Sequence, residues 1–263
     1  MRDEILAAVR SIEVEAQVRV LLAVESGSRA WGFASPDSDY DVRFIYVHEP
    51  AWYLTVFESR DVIEKMLPGE LDVSGWDLRK SLRLFSKCNL ALNEWLGSPV
   101  VYSETSEFRP ELRALIPIFF NPTRATHHYR SMAKQALSSL TSENQISIKK
   151  LLYAARALLA CRWIREYKSQ PPTEFRVVVE HVASAEERTY FSDLIARKSD
   201  TPEKREIVLE PNRGKAISAE LESCERDVVP PDVSPKMSCD VLDATLRRWI
   251  DVSNPSNKLQ RGG

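Results

Sequence analysis

The sequence predicts an α+β protein with strands first and helices after, on three observations. Short apolar, β-branched runs bounded by turn formers lie before residue 77; helical periodicity dominates beyond it; and prolines cut the second half into helix-sized lengths. Residues 3–18 open the chain as an amphipathic helix, with Ile5, Leu6, Val9, Ile12 and Ala16 at helical spacing. VRVLLAVES (18–26) reads as a buried strand, followed by a glycine turn, a short SRAWGF segment and the turn-rich loop SPDS. YDVRFIYV (40–47) is a second strand. RDVIEKML and ELDVSGW, parted by Pro68-Gly69, read as a hairpin. Asp77 stands where the N-cap of the next helix belongs, ahead of Leu78, Leu82 and Phe85. Helices are expected at 123–140, 146–168, 174–183, 185–199, 203–209, 215–227 and 238–251, set off by Pro117, Pro122, Pro171-Pro172, Pro202, Pro211 and Pro230-Pro231. The last residues, SNPSNKLQRGG, read as a frayed tail.

The chain has 263 residues, 43% of them hydrophobic, enough to bury one large core or two smaller ones. Its 36 Lys+Arg against 38 Asp+Glu leave a formal charge of −2, which argues against holding nucleic acid by bulk electrostatics alone. Cys88, Cys161, Cys224 and Cys239 form no CxxC pair and no zinc-like spacing, the pattern of idle thiols in a reducing cytosol. The opening MRDEILAAVRSIEVEA carries four acids and no long apolar run, so no secretory leader is expected. No stretch reaches the ~18 apolar residues of a membrane span. A cytoplasmic protein is expected, and no heptad seam speaks to its oligomeric state.

The chemistry concentrates in SGSRAWGFASPDSDYDVRF (26–44). Gly27-Ser28 follows a strand and opens a helix, where unpaired backbone N–H groups can meet phosphate. Asp39 and Asp41 head the next strand; alternation puts both on one face, about 7 Å apart at Cα, a spacing that suits a hard divalent cation. Arg43 continues that face toward a phosphate or an acceptor. A lone acid–x–acid is more often a solvated turn, and Gly27 alone only a tight bend. The whole order, strand, Gly-Ser, helix, loop, acid–apolar–acid, strand, resembles the DNA polymerase β-like nucleotidyltransferase superfamily.

The resemblance extends to one branch. SGSRAWGFASPDSDYDVRFIYV, GWDLRKSLRLFSKCN, EWLGSPVVY, HHYRSMAKQAL and IKKLLYAARALLACRWI are similar, in that order, to the RlaP-type predicted nucleotidyltransferases associated with bacterial and phage RNA-repair gene sets. The similarity covers about residues 20–185. Leu151, Ala155 and Ala157 stand where that family has Tyr, Leu and Pro. What the resemblance implies is a small mixed sheet, the polymerase β-like palm, over residues 1–120, followed by a helical nucleotide- and substrate-binding domain over 121–263. It implies Mg²⁺, or Mn²⁺, two ions per site, with a nucleoside triphosphate as substrate.

The superfamily also carries a third carboxylate on a later strand. Glu70, Asp72 and Asp77 are the candidates. Asp72 fits best, central in a strand whose Leu71 and Val73 can face the core, whereas Asp77 suits an N-cap and Glu70 a turn. Lys149, Tyr153 and Arg156 recur at i, i+4, i+7 on one helix stripe. By themselves they read as a solvent face; the resemblance raises them, with Lys150, to nucleotide contacts beside Gly27, Ser28 and Arg29. Trp31 can line that pocket. His127 and His128 lack partners at metal-ligand spacing and read as surface or substrate-contacting residues. The function implied is transfer of a nucleoside monophosphate to a hydroxyl with release of pyrophosphate. Asp39, Asp41 and Asp72 would be the catalytic, metal-holding residues, and an RNA end the first-choice acceptor. A small-molecule or protein hydroxyl uses the same face, and a non-catalytic nucleotide or RNA sensor is the reading of another class.

Overall fold

The computed structural model describes residues 1–67, 71–141, 143–199, 205–226 and 240–253. The expectations placed on Pro68-Gly69, Glu70, Pro202, Pro230-Pro231, Cys239 and the tail from 254 lie outside them. In chain order the first elements are α1 (Arg2–Ala16), β1 (Arg19–Glu25), α2 (Gly27–Trp31), β2 (Tyr40–Val47), α3 (Pro50–Tyr53), β3 (Val62–Leu67) and β4 (Leu71–Asp77). Then come α4 (Leu78–Phe85), α5 (Leu90–Gly97), β5 (Val101–Glu104), α6 (Phe108–Phe119) and α7 (Pro122–Leu137). The remainder is β6 (Gln145–Ser147), α8 (Ile148–Tyr167), α9 (Phe175–Val182), α10 (Ala185–Ser199), β7 (Glu206–Val208), α11 (Pro211–Arg226) and α12 (Asp240–Ser253).

Two compact units divide the chain. One holds residues 1–26 and 39–115 with α12; the other holds residues 27–38 and the helices from 116 to 226. A single cut at 120 does not describe this division. Residues 27–38 go with the helical unit because Trp31 and Phe33 bury themselves in its core. Helix α12 goes with the sheet unit because Trp249 meets Phe108 edge-on at 5.1 Å and donates its indole N–H to Glu111.

In the first unit, five strands lie in the order β3-β4-β2-β1-β5. β2 and β4 run parallel, and the other neighbours are antiparallel. Ile5, Val9 and Ile12 of α1 close one face against Val20, Ala23, Val42, Phe44, Tyr46, Leu71 and Val73. Strand alternation therefore turns Asp41, Arg43 and Asp72 to the other face. Gly75 is needed where it stands. It is the register partner of Phe44, and a β-carbon there would sit 2.2 Å from the Phe44 ring. Asp77 caps α4 as expected, its Oδ1 accepting the Arg79 N–H at 2.8 Å.

The helical unit is built around α8, which is buried on most of its circumference rather than along one stripe. Leu151, Leu152 and Leu159 meet Trp31, Phe33, Phe175, Val178 and Leu194 in one core. Residues 206–208, expected within a helix, form strand β7 instead. Ile207 pairs with Ile146 across an antiparallel ladder with β6, and Ile148 N–H bonds Arg205 O at 3.0 Å. Ser147 then caps α8, its Oγ accepting from Lys150 N. No helix among the described residues is long and apolar enough to cross a membrane.

Candidate active site

Asp41 and Asp72 are register partners across the parallel β2–β4 pair. Arg43, two residues along β2 on the same face, reaches both. Its Nη2 lies 2.8 Å from Asp72 Oδ2 and 3.0 Å from Asp41 Oδ1. Its Nη1 donates to the Val42 and Asp72 carbonyls at 3.1 and 3.3 Å. Arg43, expected as a phosphate contact, thus spends its guanidinium on the two acids. All three side chains stay partly exposed, at 34% for Asp41, 35% for Asp72 and 19% for Arg43, so the pair is open to exchange with solvent ions.

The backbone under Asp41 is held from below. Glu25, at the end of β1 and 1% exposed, accepts the Asp41 N–H on Oε1 at 2.8 Å and the Tyr102 hydroxyl on Oε2. Ser98 Oγ donates to Glu25 O at 2.7 Å, and Ser26 N–H donates to Asp41 O at 2.9 Å. Sequence reading missed Glu25, since a single acid at a strand end carries no periodic signal. Asp39 sits one residue ahead of β2 and is exposed. Among the described residues no group of three or more His, Cys, Asp or Glu side chains is gathered closely enough to hold a metal ion, so the trio of Asp39, Asp41 and Asp72 is not assembled. The chemistry of the pair still fits one: two hard oxygen donors abreast, their repulsion balanced by a cation. Asp77 is committed elsewhere. It is fully buried, accepts the Tyr53 hydroxyl at 2.6 Å, and burial pushes its carboxyl above the usual range.

The second constellation lies within the helical unit. Gly27 takes φ +60° to start α2, the left-handed region where glycine carries no β-carbon penalty. Ser28 O accepts the Gly32 and Phe33 N–H groups at 3.1 and 3.0 Å, and Arg29 Nη2 donates to Ser38 O at 2.7 Å. These bonds fold residues 27–38 into a closed loop. The Lys149–Tyr153–Arg156 stripe converges on that loop. Tyr153 meets Trp31 edge-on at 5.0 Å, Lys149 Nζ lies 5.9 Å from the Tyr153 ring centre, and the Arg156 guanidinium stands 4.2 Å over Trp31. Arg156 is only 3% exposed and also lies 5.9 Å from the Tyr129 ring, so it is a core residue and not part of a solvated face. Lys150 is exposed and does not join the cluster. Lys198, which no sequence pattern marked, is buried and donates to Phe33 O at 2.7 Å. The Gly-Ser loop and the α8 stripe therefore form one aromatic and cationic assembly.

Residues 1–248 match the model of the RNA repair pathway DNA polymerase β family, RlaP. The chain is 44% identical over 199 residues to the uncharacterized protein YcgL of Bacillus subtilis (strain 168), an alignment covering 75% of this chain and 76% of that protein. A nucleotidyltransferase-like protein from Exiguobacterium sibiricum 255-15, known from its crystal structure, aligns over 95% of this chain and 80% of its own with 11% identity and a TM-score of 0.33. With a family model spanning nearly the whole sequence and a relative this close over three quarters of it, the chain belongs to the RNA repair pathway DNA polymerase β family, a nucleotidyltransferase family of mixed α+β fold.

Proposed function

We propose that the protein transfers a nucleoside monophosphate from a nucleoside triphosphate to a hydroxyl at an RNA end, releasing pyrophosphate. The observation that carries the reading is the Asp41–Asp72 register pair with Arg43 between its carboxylates, in a chain of this family. Asp41 and Asp72, joined by Asp39 from the approach to β2, would hold two Mg²⁺ or Mn²⁺ ions. Bound there, the ions supply charge neutralisation at the phosphates and lower the pKa of the attacking hydroxyl. The acceptor oxygen forms its bond to the α-phosphorus, and the bond from that phosphorus to the bridging oxygen breaks. Pyrophosphate leaves with the electron pair, and Asp72 takes the hydroxyl proton. Asp41, fixed from beneath by Glu25, keeps its carboxylate in place while charge redistributes. With the pair otherwise neutralised, Arg43 is released toward the triphosphate.

Gly27, Ser28, Arg29, Lys149, Lys150, Tyr153 and Arg156 form the nucleotide-binding set in this reading, in two ranks. Lys149 and Arg29 supply charge, and Lys150 adds it from the exposed side. Arg156 acts indirectly by holding Trp31 and, with it, the Gly27–Ser28 turn. The RNA acceptor rests on the family's description alone. The test is incubation with each α-labelled nucleoside triphosphate, Mg²⁺ or Mn²⁺, and a mixed pool of short RNAs. Label entering RNA supports the proposal. Label entering protein or a small molecule replaces the acceptor, and no transfer in any mixture overturns the activity.

A further inference from the structure

The Nη2 nitrogen of Arg43 donates to one oxygen of each acid, Asp72 Oδ2 at 2.8 Å and Asp41 Oδ1 at 3.0 Å. Nη1 donates to the Val42 and Asp72 carbonyls at 3.1 and 3.3 Å, which anchors the guanidinium to both strands. A divalent ion drawn to these carboxylates therefore meets a positive charge already lodged between them, and like charges so close repel. Admitting the ion means breaking two charge-assisted hydrogen bonds and turning out a guanidinium that is only 19% exposed. Turned out alone, Arg43 exchanges two ionic partners for water. A triphosphate changes that balance, because phosphate oxygens match the guanidinium fork as carboxylates do. Arg43 shares the sheet face of both acids, so an anion brought to the pair is brought to Arg43 as well.

We infer that Arg43 is an internal competitor for the divalent ion, and that it makes the ion and the nucleoside triphosphate bind as a coupled pair. Each is weak alone, because only together do they leave the two acids and the guanidinium all partnered. The inference rests on the reading of Asp41 and Asp72 as metal-holding residues and adds a rule of occupancy to it. The pair resists free ions and accepts an ion that arrives with nucleotide. Linkage makes the effect reciprocal: the nucleotide tightens the ion by the same factor as the ion tightens the nucleotide.

Binding of Mn²⁺ to the full chain, followed by loss of the free ion's electron paramagnetic resonance signal, tests this without any turnover. The parent should bind Mn²⁺ weakly and Arg43→Met at least about tenfold more tightly, since the competitor is gone. Asp72→Asn in the Arg43→Met background should abolish that gain, which assigns it to the pair. A triphosphate analogue with a non-hydrolysable α,β linkage should tighten Mn²⁺ binding by the parent more than by Arg43→Met. Chelation of the ion in solution is the same for both proteins and cancels in that comparison. Equal tightening by the analogue would overturn the coupling. Equal Mn²⁺ affinity in parent and Arg43→Met, lowered in both by Asp72→Asn, would overturn the competition and leave the metal site standing. Binding indifferent to Asp72→Asn in either background would overturn the metal reading and the competition with it. Should Arg43→Met fail to fold, Arg43→Gln, which keeps a polar side chain without the charge, decides the same comparisons.

Discussion

Asp41 and Asp72 leave neighbouring parallel strands at the same register position and on the same face of the sheet. Like charges so placed are destabilising unless something balances them, and in this fold the balance comes from within β2, from Arg43. The Asp41–x–Arg43 run is therefore a unit: β2 carries an acid and its counter-cation on one face, and β4 brings the second acid alongside.

Replacing Arg43 with methionine should expose the repulsion it suppresses. In EDTA the Arg43→Met protein is expected to lose about 1 kcal/mol of stability, the scale of partly exposed charge interactions. Added Mg²⁺ should then raise its Tm more than that of the unaltered protein. A variant as stable as the parent in EDTA would show that Arg43 does not balance the pair.

Asp41→Asn and Asp72→Asn should each lower nucleotidyl transfer by at least ~100-fold with the fold retained, since each removes a hard donor. Relief of like-charge repulsion would by itself raise the melting temperature. The structure points the other way, because each substitution also deprives Arg43 of an ionic partner while the other acid stays paired to it. Tm is expected to stay level or fall slightly. Undiminished turnover in either variant sinks the assignment.

A nucleoside triphosphate with Mg²⁺ should stabilise the protein more than either alone. A ligand that binds only the folded state adds RT ln(1 + [L]/Kd), about 2.7 kcal/mol at a hundredfold excess over Kd. Thermal-shift titrations with the four common triphosphates check this, and indifference to all of them would count against the nucleotide reading.

Much of this was legible in sequence because much of it is periodic. The alternation in YDVRFIYV and LDVSGWD specifies which residues face α1, and with it that Arg43 shares a face with Asp41 and that Asp72 leaves the core. What no local pattern carries is the partner. β7 spans three residues and exists because residues 145–147 pair with it; read alone, its neighbourhood passes for a helix. The Lys149–Tyr153–Arg156 stripe has the right helical geometry, but the chain that covers it comes from Trp31, over a hundred positions earlier, so a solvent face could not be told from a buried one. Asp39 and Asp41 share a parity, yet pairing begins at Tyr40 and strand alternation does not reach back to fix Asp39.

Burial separates two of the three basic residues of α8 that sequence reading grouped together. Arg156 is packed over Trp31, and Arg156→Ala removes a buried cation–π contact along with the packing of its methylenes, for an expected loss of about 2–4 kcal/mol. Lys150→Ala, on the exposed side, should change stability by less than about 0.5 kcal/mol. Chemical denaturation of both variants measures the contrast, and equal effects would show that Arg156 is no core residue.

The last expectation concerns pH. His48 follows β2, stacks on Trp52 at 4.0 Å with the rings 11° from parallel, and has a buried Nε2 that makes no hydrogen bond. Burial lowers its pKa from 6.5 to about 4, so the native ring stays neutral through mildly acid conditions. The sign follows from proton counting: between those two values the unfolded chain binds a proton at His48 that the native chain does not, so stability rises with pH. This contribution is fully present above pH 6.5 and is lost as pH falls toward 4. Carboxylates titrate toward the acid end of the same window, which makes the difference from a His48→Gln variant the informative quantity. The gap between the parent and variant unfolding free energies should move against the parent as pH is lowered through this window and level off above it. Parallel curves would show that His48 is protonated as readily in the folded chain as in the unfolded one, and that water reaches the Nε2 face.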